Sequence, residues 1–298
     1  MLVINPRATR VGQRVVERVR TALDARFDVD LVATAAPGEA AELCRSAGPD
    51  VGAVAVLGGD GTVNEAANGL AGGTVPLACL PGGLTNVFAR ALGVGRDPVA
   101  AAQRLAAGQG EVRSIDLGSV SGRAFLFASG LGLSAALTRR QAGGPRRPTG
   151  LVEAWALLAA ARAVAAEVGR APRLRVSSGG ISVEGTTVVF QNTAPLTYLR
   201  GRPLHVSEGA GLQTGSLSAM VLRGAGLGEL LSLTPKVLSG RPGAVAANDR
   251  VASLPGILTA SVEALDGGTV SLEADGEYLG ERVRVDYSVL PAALRVVA

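Results

Sequence analysis

The residues best suited to chemistry lie in the glycine-rich turn Gly58–Thr62, which reads Gly-Gly-Asp-Gly-Thr. The apolar run 51–57 before it predicts a buried strand, and the segment Thr62–Leu70 predicts a helix. A strand that enters a helix through glycines exposes backbone N–H groups at the positive end of the helix, where anions bind. Asp60 could hold Mg²⁺ beside a bound phosphate. The turn therefore predicts a phosphate-binding loop, and the alternative is a plain turn in which Asp60 or Thr62 caps the helix.

A second glycine turn, Pro81–Asn86, follows the predicted strand 75–80 and leads into a helix that begins at Val87. The carboxyl ends of neighbouring parallel strands meet at one edge of an open sheet, and ligands bind in the crevice there. Asn5-Pro6 follows the first apolar run and reaches the same edge. The three turns together predict a nucleotide crevice, although a simple connection between strand and helix would also explain the second turn.

The elements that position these turns alternate over the first 115 or so residues. The strands are apolar throughout and are separated by helices, which predicts a parallel sheet covered on both faces. Predicted strands are Leu2–Ile4, Phe27–Ala33, 51–57 and 75–80, and predicted helices are Val11–Ala25, Gly38–Ala47 and Thr62–Leu70.

Beyond about Arg113 the chain becomes β-rich and is broken by glycine turns, which predicts an antiparallel sandwich. The sequence therefore predicts an α/β domain over 1–115 and a β-sandwich domain over 116–286, and the segment 287–298 could return to the first. The longest apolar stretch, Leu151–Val168, contains charged residues and predicts an amphipathic helix and not a membrane span.

Composition limits the function classes. With 47% hydrophobic and 18% charged residues, the 298-residue chain can bury real cores. A net charge of +4 is a mild excess, so no nucleic-acid partner is predicted. The arginine pairs at 139–140 and 146–147 could face phosphate or a membrane, or belong to a solvated loop. Cys44 and Cys79 do not have the spacing of metal ligands, and we expect both to be buried residues of a protein in a reducing compartment. The apolar start of the sequence has no basic region before it, which predicts no signal peptide.

The run Gly58–Gly69 resembles the signature of the diacylglycerol kinase catalytic-domain family, which is shared with sphingosine and ceramide kinases. That family is similar in fold to NAD kinase and phosphofructokinase. The resemblance covers the whole chain, because further matching segments follow in the family's order: Asn5-Pro6, Thr34, Pro81–Arg90, Ile115–Gly118 and Asp275–Glu277.

The resemblance implies an ATP- and Mg²⁺-dependent lipid kinase that phosphorylates the hydroxyl of diacylglycerol or a related lipid. Glu277, with Asp275 beside it, would take the proton from the lipid hydroxyl, since an alcohol is a poor nucleophile until it loses that proton. Asp60 would take part in catalysis and hold Mg²⁺ brought in with ATP. Without the resemblance, Asp275-Gly276 predicts an ordinary hairpin turn. The implied nucleotide contacts are Asn5, Pro6, Thr9, Thr34, Gly58, Gly59, Asp60, Gly61, Thr62, Asn64, Gly83, Thr85 and Asn86.

The chain departs from the family pattern at Leu84 and Val87 in the second glycine turn. It also has Thr214 and no carboxylate where some relatives hold a structural Mg²⁺, so we expect no such metal here. Two alternatives stay open: a lipid- or nucleotide-binding protein with impaired catalysis, and a kinase for a soluble substrate such as NAD. The expected partners are a lipid substrate at the membrane surface, with peripheral membrane contact from the cytoplasm, and a second copy paired through edge strands.

Overall fold

The computed structural model describes residues 1–142, 173–199, 201–224 and 226–298. The chain divides into two compact units: unit 1 is Met1–Leu117 with Leu290–Ala298, and unit 2 is Gly118–Val289. The amphipathic helix predicted at 151–168 and the arginine pair at 146–147 lie outside the described residues.

Unit 1 contains a parallel sheet whose strand order is β2-β1-β3-β4. The end of the last strand, β18 (Arg284–Val297), adds to this sheet, where Val296 and Val297 pair in parallel with β4. Every residue of β1, β3 and β4 is buried, as an apolar strand between two helical layers requires. The four strands are β1 (Leu2–Ile4), β2 (Leu31–Ala33), β3 (Val54–Gly58) and β4 (Leu77–Pro81).

Five helices belong to unit 1. Val19 and Leu23, four residues apart on α1, join the buried core with strand residues such as Leu57. Gly69 allows α3 to approach α2, because a Cβ atom there would lie 2.4 Å from the carbonyl oxygen of Ala41. The helices are α1 (Gln13–Asp24), α2 (Glu39–Arg45), α3 (Asp60–Leu70), α4 (Val87–Ala91) and α5 (Pro98–Ala106).

Unit 2 is built from antiparallel sheets. One has the strand order β14-β13-β10-β7-β16-β17, and in the other β15 pairs with β8 and with the first half of β18. Side chains from both sheets form one core, in which the rings of Phe190 and Tyr287 stack 3.9 Å apart. The elements are β5 (Val112–Val120, which begins in unit 1), β6 (Arg123–Phe125), β7 (Ala128–Leu131), α6 (Leu133–Ala142), β8 (Leu174–Ser178), β9 (Ile181–Gly185), β10 (Thr187–Gln191), β11 (Thr197–Leu199), β12 (Arg202–Leu204), β13 (Leu217–Leu222), α7 (Leu227–Leu238), β14 (Val251–Ile257), β15 (Thr259–Ala264), β16 (Val270–Ala274) and β17 (Glu277–Arg282).

The predicted fold class is confirmed, with an α/β unit around a parallel sheet and an antiparallel β-rich unit. The strand predicted at Phe27–Ala33 was too long: β2 begins at Leu31, because the N–H of Phe27 still bonds to the carbonyl of Leu23 at the end of α1. The third helix begins at Asp60 and not at Thr62, since the N–H of Val63 already bonds to the carbonyl of Gly59.

Candidate functional site

Hydrogen bonds join the loop after β1 to the first glycine turn of unit 1. Asn5 follows β1, and its backbone N–H donates to the carbonyl of Leu57 at 3.0 Å. Its side-chain Nδ2 donates to Thr62 Oγ1 at 2.8 Å. Asn5 and Thr62 were both predicted from the sequence as nucleotide contacts, and the structure brings them together at the carboxyl edge of the parallel sheet.

The two glycine turns contact each other through their backbones. The N–H of Gly82 donates to the carbonyl of Gly58 at 2.7 Å. A Cβ atom on Gly83 would lie 2.7 Å from the Cα of Gly59, closer than real Cβ atoms approach. Part of the glycine content therefore serves the contact between the turns and not the approach of a ligand.

Gly61 differs from these glycines. It is exposed in the first turn of α3, and a Cβ atom there would have nothing within 4 Å. Glycine in a helix costs about 0.5–1 kcal/mol relative to alanine, so its presence needs another reason. The space in front of Gly61 leaves the N–H groups of the helix open to a phosphate.

Asn86 shapes the second glycine turn. It is 2% exposed and adopts a left-handed backbone conformation with φ of 50°. Its Oδ1 accepts the N–H of Gly83 at 2.8 Å, and its Nδ2 donates to the carbonyl of Gly83 at 2.9 Å. Asparagine tolerates this conformation better than most residues, so this side chain sets where the turn ends and α4 begins.

Asp60 faces the second glycine turn. Its Oδ1 accepts the N–H of Phe88 at 3.2 Å, near the beginning of α4. Burial raises the pKa of its carboxyl group, and the N–H groups of Val87, Phe88 and Asn86, followed by the charge of Arg90, oppose that rise. Gly59 is the N-cap of α3 and no side chain caps this helix, so the alternative in which Asp60 or Thr62 serves as its cap is wrong.

The other predicted nucleotide contacts of unit 1 have varied surroundings. Thr34 is buried at the end of β2, and its N–H donates to the carbonyl of Ile4 at 2.8 Å. Asn64 is 3% exposed, and its Oδ1 accepts the side-chain N–H of Asn68 at 3.2 Å. Thr85 is half-buried, whereas Pro6 and Thr9 are exposed. Their contacts with a nucleotide stay predictions.

Two arginines lie at the same edge, and the sequence analysis singled out neither of them. The N–H of Arg7 donates to Asn5 Oδ1 at 2.9 Å, and the N–H of Arg10 donates to the carbonyl of Gly82 at 2.9 Å. Both side chains are exposed, and neither forms an ion pair within the described part of the chain. The signal was present in the sequence, because Arg7 follows Asn5-Pro6 directly and Arg10 follows three residues later, in a chain whose glycine turn lacks the lysine of a Walker A loop.

In unit 2, Asp275 and Gly276 form the two-residue turn between β16 and β17. Asp275 is 8% exposed and has a φ of 49°. Its carboxylate accepts three backbone N–H groups, from Leu126 at 2.6 Å, Phe127 at 2.9 Å and Ala128 at 3.1 Å. Asp275 therefore anchors the turn to the segment that leads into β7, and its catalytic role stays a prediction.

Glu277, the predicted base, is exposed at the start of β17. Its Oε2 forms an ion pair with the guanidinium of Arg123 at 2.5 Å. The turn has the hairpin geometry that Asp-Gly favours, and it presents one carboxylate to solvent next to an anchored one. That arrangement allows Glu277 to accept a proton from a bound alcohol.

The fold consists of an α/β unit with two glycine turns at one edge of its parallel sheet and an antiparallel β-rich unit. Residues 1–120 match the family model described as "Diacylglycerol kinase catalytic domain". The resemblance to this family that was predicted from the sequence is thereby confirmed over these residues.

Named relatives support the same family. The chain is 36% identical over 117 residues to the "Diacylglycerol kinase" of Bacillus subtilis (strain 168), covering 38% of each protein. It is 45% identical over 83 residues to a "Probable lipid kinase YegS-like" of Pseudomonas aeruginosa (strain UCBPP-PA14), covering 27% of this chain and 26% of that protein. The matched stretches therefore span well under half of the length of these relatives.

The likeness in fold extends over nearly the whole chain. The structure of a diacylglycerol kinase from Bacillus anthracis str. Sterne aligns with a TM-score of 0.70 at 19% identity, covering 99% of this chain and 95% of that one. Another structure from the same organism reaches a TM-score of 0.77 at 21% identity, covering 99% and 96%. At these identities the likeness shows the shared fold.

Within the described residues, no helix is both long enough and apolar enough to cross a bilayer.

Proposed function

We propose that this protein is an ATP-dependent lipid kinase, which transfers the γ-phosphoryl group of ATP to the hydroxyl of diacylglycerol or a related lipid. One observation carries the proposal: two interlocked glycine turns and the Asn5 loop meet at one sheet edge, within the segment that matches the kinase family. Because the match to relatives is partial, the lipid substrate is part of the proposal.

Unit 1 would hold the phosphates of ATP. The first turn of α3 has open space in front of Gly61, and the N-terminus of a helix favours negative charge. Phosphoryl transfer also needs positive charge near the transferred group. Arg7 and Arg10 fit this need, since the N–H of Arg10 bonds to the second glycine turn, that of Arg7 bonds to Asn5, and both side chains are exposed.

Asp60 is the carboxylate that would hold Mg²⁺ entering with ATP. Magnesium is commonly bound by one or two carboxylates together with substrate phosphates, and a single carboxylate at the phosphate turn fits that pattern. Burial disfavours the charge of Asp60, and a bound cation would relieve that cost. The metal would neutralise charge on the phosphates. Among the described residues no cluster of three or more acidic, histidine or cysteine side chains forms a metal site of its own.

Glu277 would act as the general base. Its carboxylate takes the proton of the lipid hydroxyl while the oxygen attacks the γ-phosphorus, the bond from that phosphorus to the bridging oxygen of ADP breaks, and ADP leaves. Arg123 orients this carboxylate through the ion pair.

A transfer assay with labelled ATP, Mg²⁺ and a panel of lipids in mixed micelles tests the proposal, with NAD as a soluble competitor. We expect labelled phospholipid from the wild type and from Glu281→Gln, a matched exposed carboxylate on the same strand. Asp60→Asn and Glu277→Gln should lower turnover at least about 100-fold while remaining folded. Labelled NADP would refute the lipid substrate, and ATP binding without transfer to any lipid would favour the non-catalytic alternative.

The proposed substrate also requires the protein to reach a membrane surface from the cytoplasm. We expect the protein to sediment with vesicles that contain diacylglycerol and to stay in the supernatant without vesicles. Turnover that does not respond to the lipid surface concentration would count against an interfacial enzyme.

A further inference from the structure

Glu273 is a buried carboxyl group of unit 2 that the proposed reaction does not use. It lies on β16, two residues before Asp275, and is 8% exposed. Its Oε2 accepts the N–H of Gly276 at 3.1 Å. Glu273 therefore contacts the middle of the turn that presents Glu277.

The space around Glu273 is made by Gly130, its neighbour on β7. A Cβ atom on Gly130 would lie 2.9 Å from Glu273 Oε1 and 2.1 Å from Ser134 Oγ, so both oxygens occupy the room that the missing side chain leaves. Ser134 Oγ is buried and has no hydrogen-bond partner among the described residues.

The surroundings favour the protonated form of Glu273. Burial raises the pKa of Glu273 to about 8, the N–H of Gly276 opposes the rise, and the charge of Asp275 adds to it. Tyr287 lies beyond Ser129, whose hydroxyl bonds to both the Tyr287 hydroxyl and the Glu273 carbonyl. The titratable or charged residues on the elements near Glu273 include Asp275 in the turn after its strand, Glu277, Tyr278, Glu281 and Arg282 on β17, Arg284, Asp286 and Tyr287 on β18, and Arg139 on α6, which pairs with Glu281.

We propose that Glu273 is a positioning residue for Glu277: as a neutral acid it accepts the N–H of Gly276 and holds the turn in the geometry that phosphoryl transfer needs. This role rests on the proposed function of Glu277. Once Glu273 ionises, burial disfavours its charge at this position, and the charge of the Asp275 carboxylate, which three N–H groups hold in place, adds to that cost. The charged side chain then moves towards water and the Gly276 N–H loses its acceptor, so the turn loosens and Glu277 is misplaced.

The pH dependence of kcat and of KM for ATP tests this role. For the wild type, we expect kcat to fall above about pH 8 while KM for ATP stays constant, because unit 1 holds the nucleotide. Glu273→Gln keeps an acceptor for Gly276 and should retain the neutral-pH kcat without the alkaline fall. Glu273→Leu has no acceptor and should lower kcat about 10- to 100-fold at every pH, since small misplacements of a reacting group cost that much. Glu281→Gln should follow the wild type.

Two results would overturn the inference. One is the same alkaline fall of kcat in Glu273→Gln, and the other is a wild-type kcat in a folded Glu273→Leu.

A measurement that does not depend on the reaction separates the two proposals. In nitrogen-15 NMR spectra, the Gly276 amide should titrate near pH 8 in the wild type and not in Glu273→Gln. If the amide titrates but no lipid is phosphorylated, the proposed function fails and the contact between Glu273 and the turn stands. If lipid is phosphorylated and the amide does not titrate, the role of Glu273 fails and the proposed function stands.

Discussion

Replacing Glu273 with Gln should stabilise unit 2 at neutral pH. The change keeps the size of the side chain and an oxygen that can accept the Gly276 N–H. It removes the group whose ionisation is opposed by burial and by the charge of Asp275. The difference in free energy of unfolding between this variant and the wild type therefore measures how much the buried carboxyl group destabilises the folded protein.

The magnitude follows from the pKa in the two states. In the folded protein burial raises the pKa of Glu273 from 4.5 to about 8. Below pH 4.5 both states keep the proton, and between pH 4.5 and 8 only the unfolded state loses it, so the stability of the wild type falls as pH rises. pH 7 lies 2.5 units above the unfolded-state pKa of 4.5. At 1.36 kcal/mol per unit, the wild type has therefore lost about 3 kcal/mol of its free energy of unfolding at pH 7. Above pH 8 this loss of stability no longer changes with pH.

Urea unfolding at a series of pH values measures this difference. We expect the free energy of unfolding of Glu273→Gln to exceed that of the wild type by an amount that grows steadily between about pH 4.5 and 8. Above pH 8 the difference should stay constant. Glu281→Gln, an exposed carboxylate of the next strand, controls for the general effect of removing one charge. A difference between Glu273→Gln and the wild type that does not change with pH would refute the reasoning, because Glu273 would then ionise in the folded state as it does in the unfolded chain.

Three further substitutions address unit 1. Gly61→Ala should keep or slightly raise the melting temperature, since alanine suits a helix better than glycine, and should weaken ATP binding at least about tenfold in calorimetry, because its methyl group would project into the space in front of the helix. Gly52→Ala, also with open space, should bind ATP normally. Arg10→Gln should raise KM for ATP about tenfold, whereas Arg18→Gln on α1 should not, and equal effects would refute a phosphate contact. Asn86→Ala should lower the free energy of unfolding by about 1–3 kcal/mol in urea titration, since it removes two hydrogen bonds and puts alanine in a left-handed conformation. An unchanged free energy of unfolding would show that the turn does not need the Asn86 side chain.

Much of unit 1 could be predicted from the sequence because its signals are local. An apolar run that ends in glycines before a helix is recognisable within about fifteen residues, as in β3, Gly58–Thr62 and α3. Parallel strands place their carboxyl ends at one edge, so Asn5 and the two glycine turns could be assigned to one crevice without coordinates. Helices α5, α6 and α7 were not predicted.

The partners of the polar side chains could not be predicted in the same way. Asp60 was expected to face a ligand or cap its own helix, but its carboxylate accepts an N–H from Phe88, 28 residues away. Asp275 bonds to N–H groups nearly 150 residues distant, and Glu273 is buried against Gly130 on another strand. The local sequence determined that glycine turns connect β3 to α3 and β4 to α4, and that Asp275-Gly276 forms a turn. Only the tertiary structure decided which carboxylates are exposed, anchored by N–H groups or buried, because burial and hydrogen-bond partners depend on residues that folding brings together from distant parts of the chain.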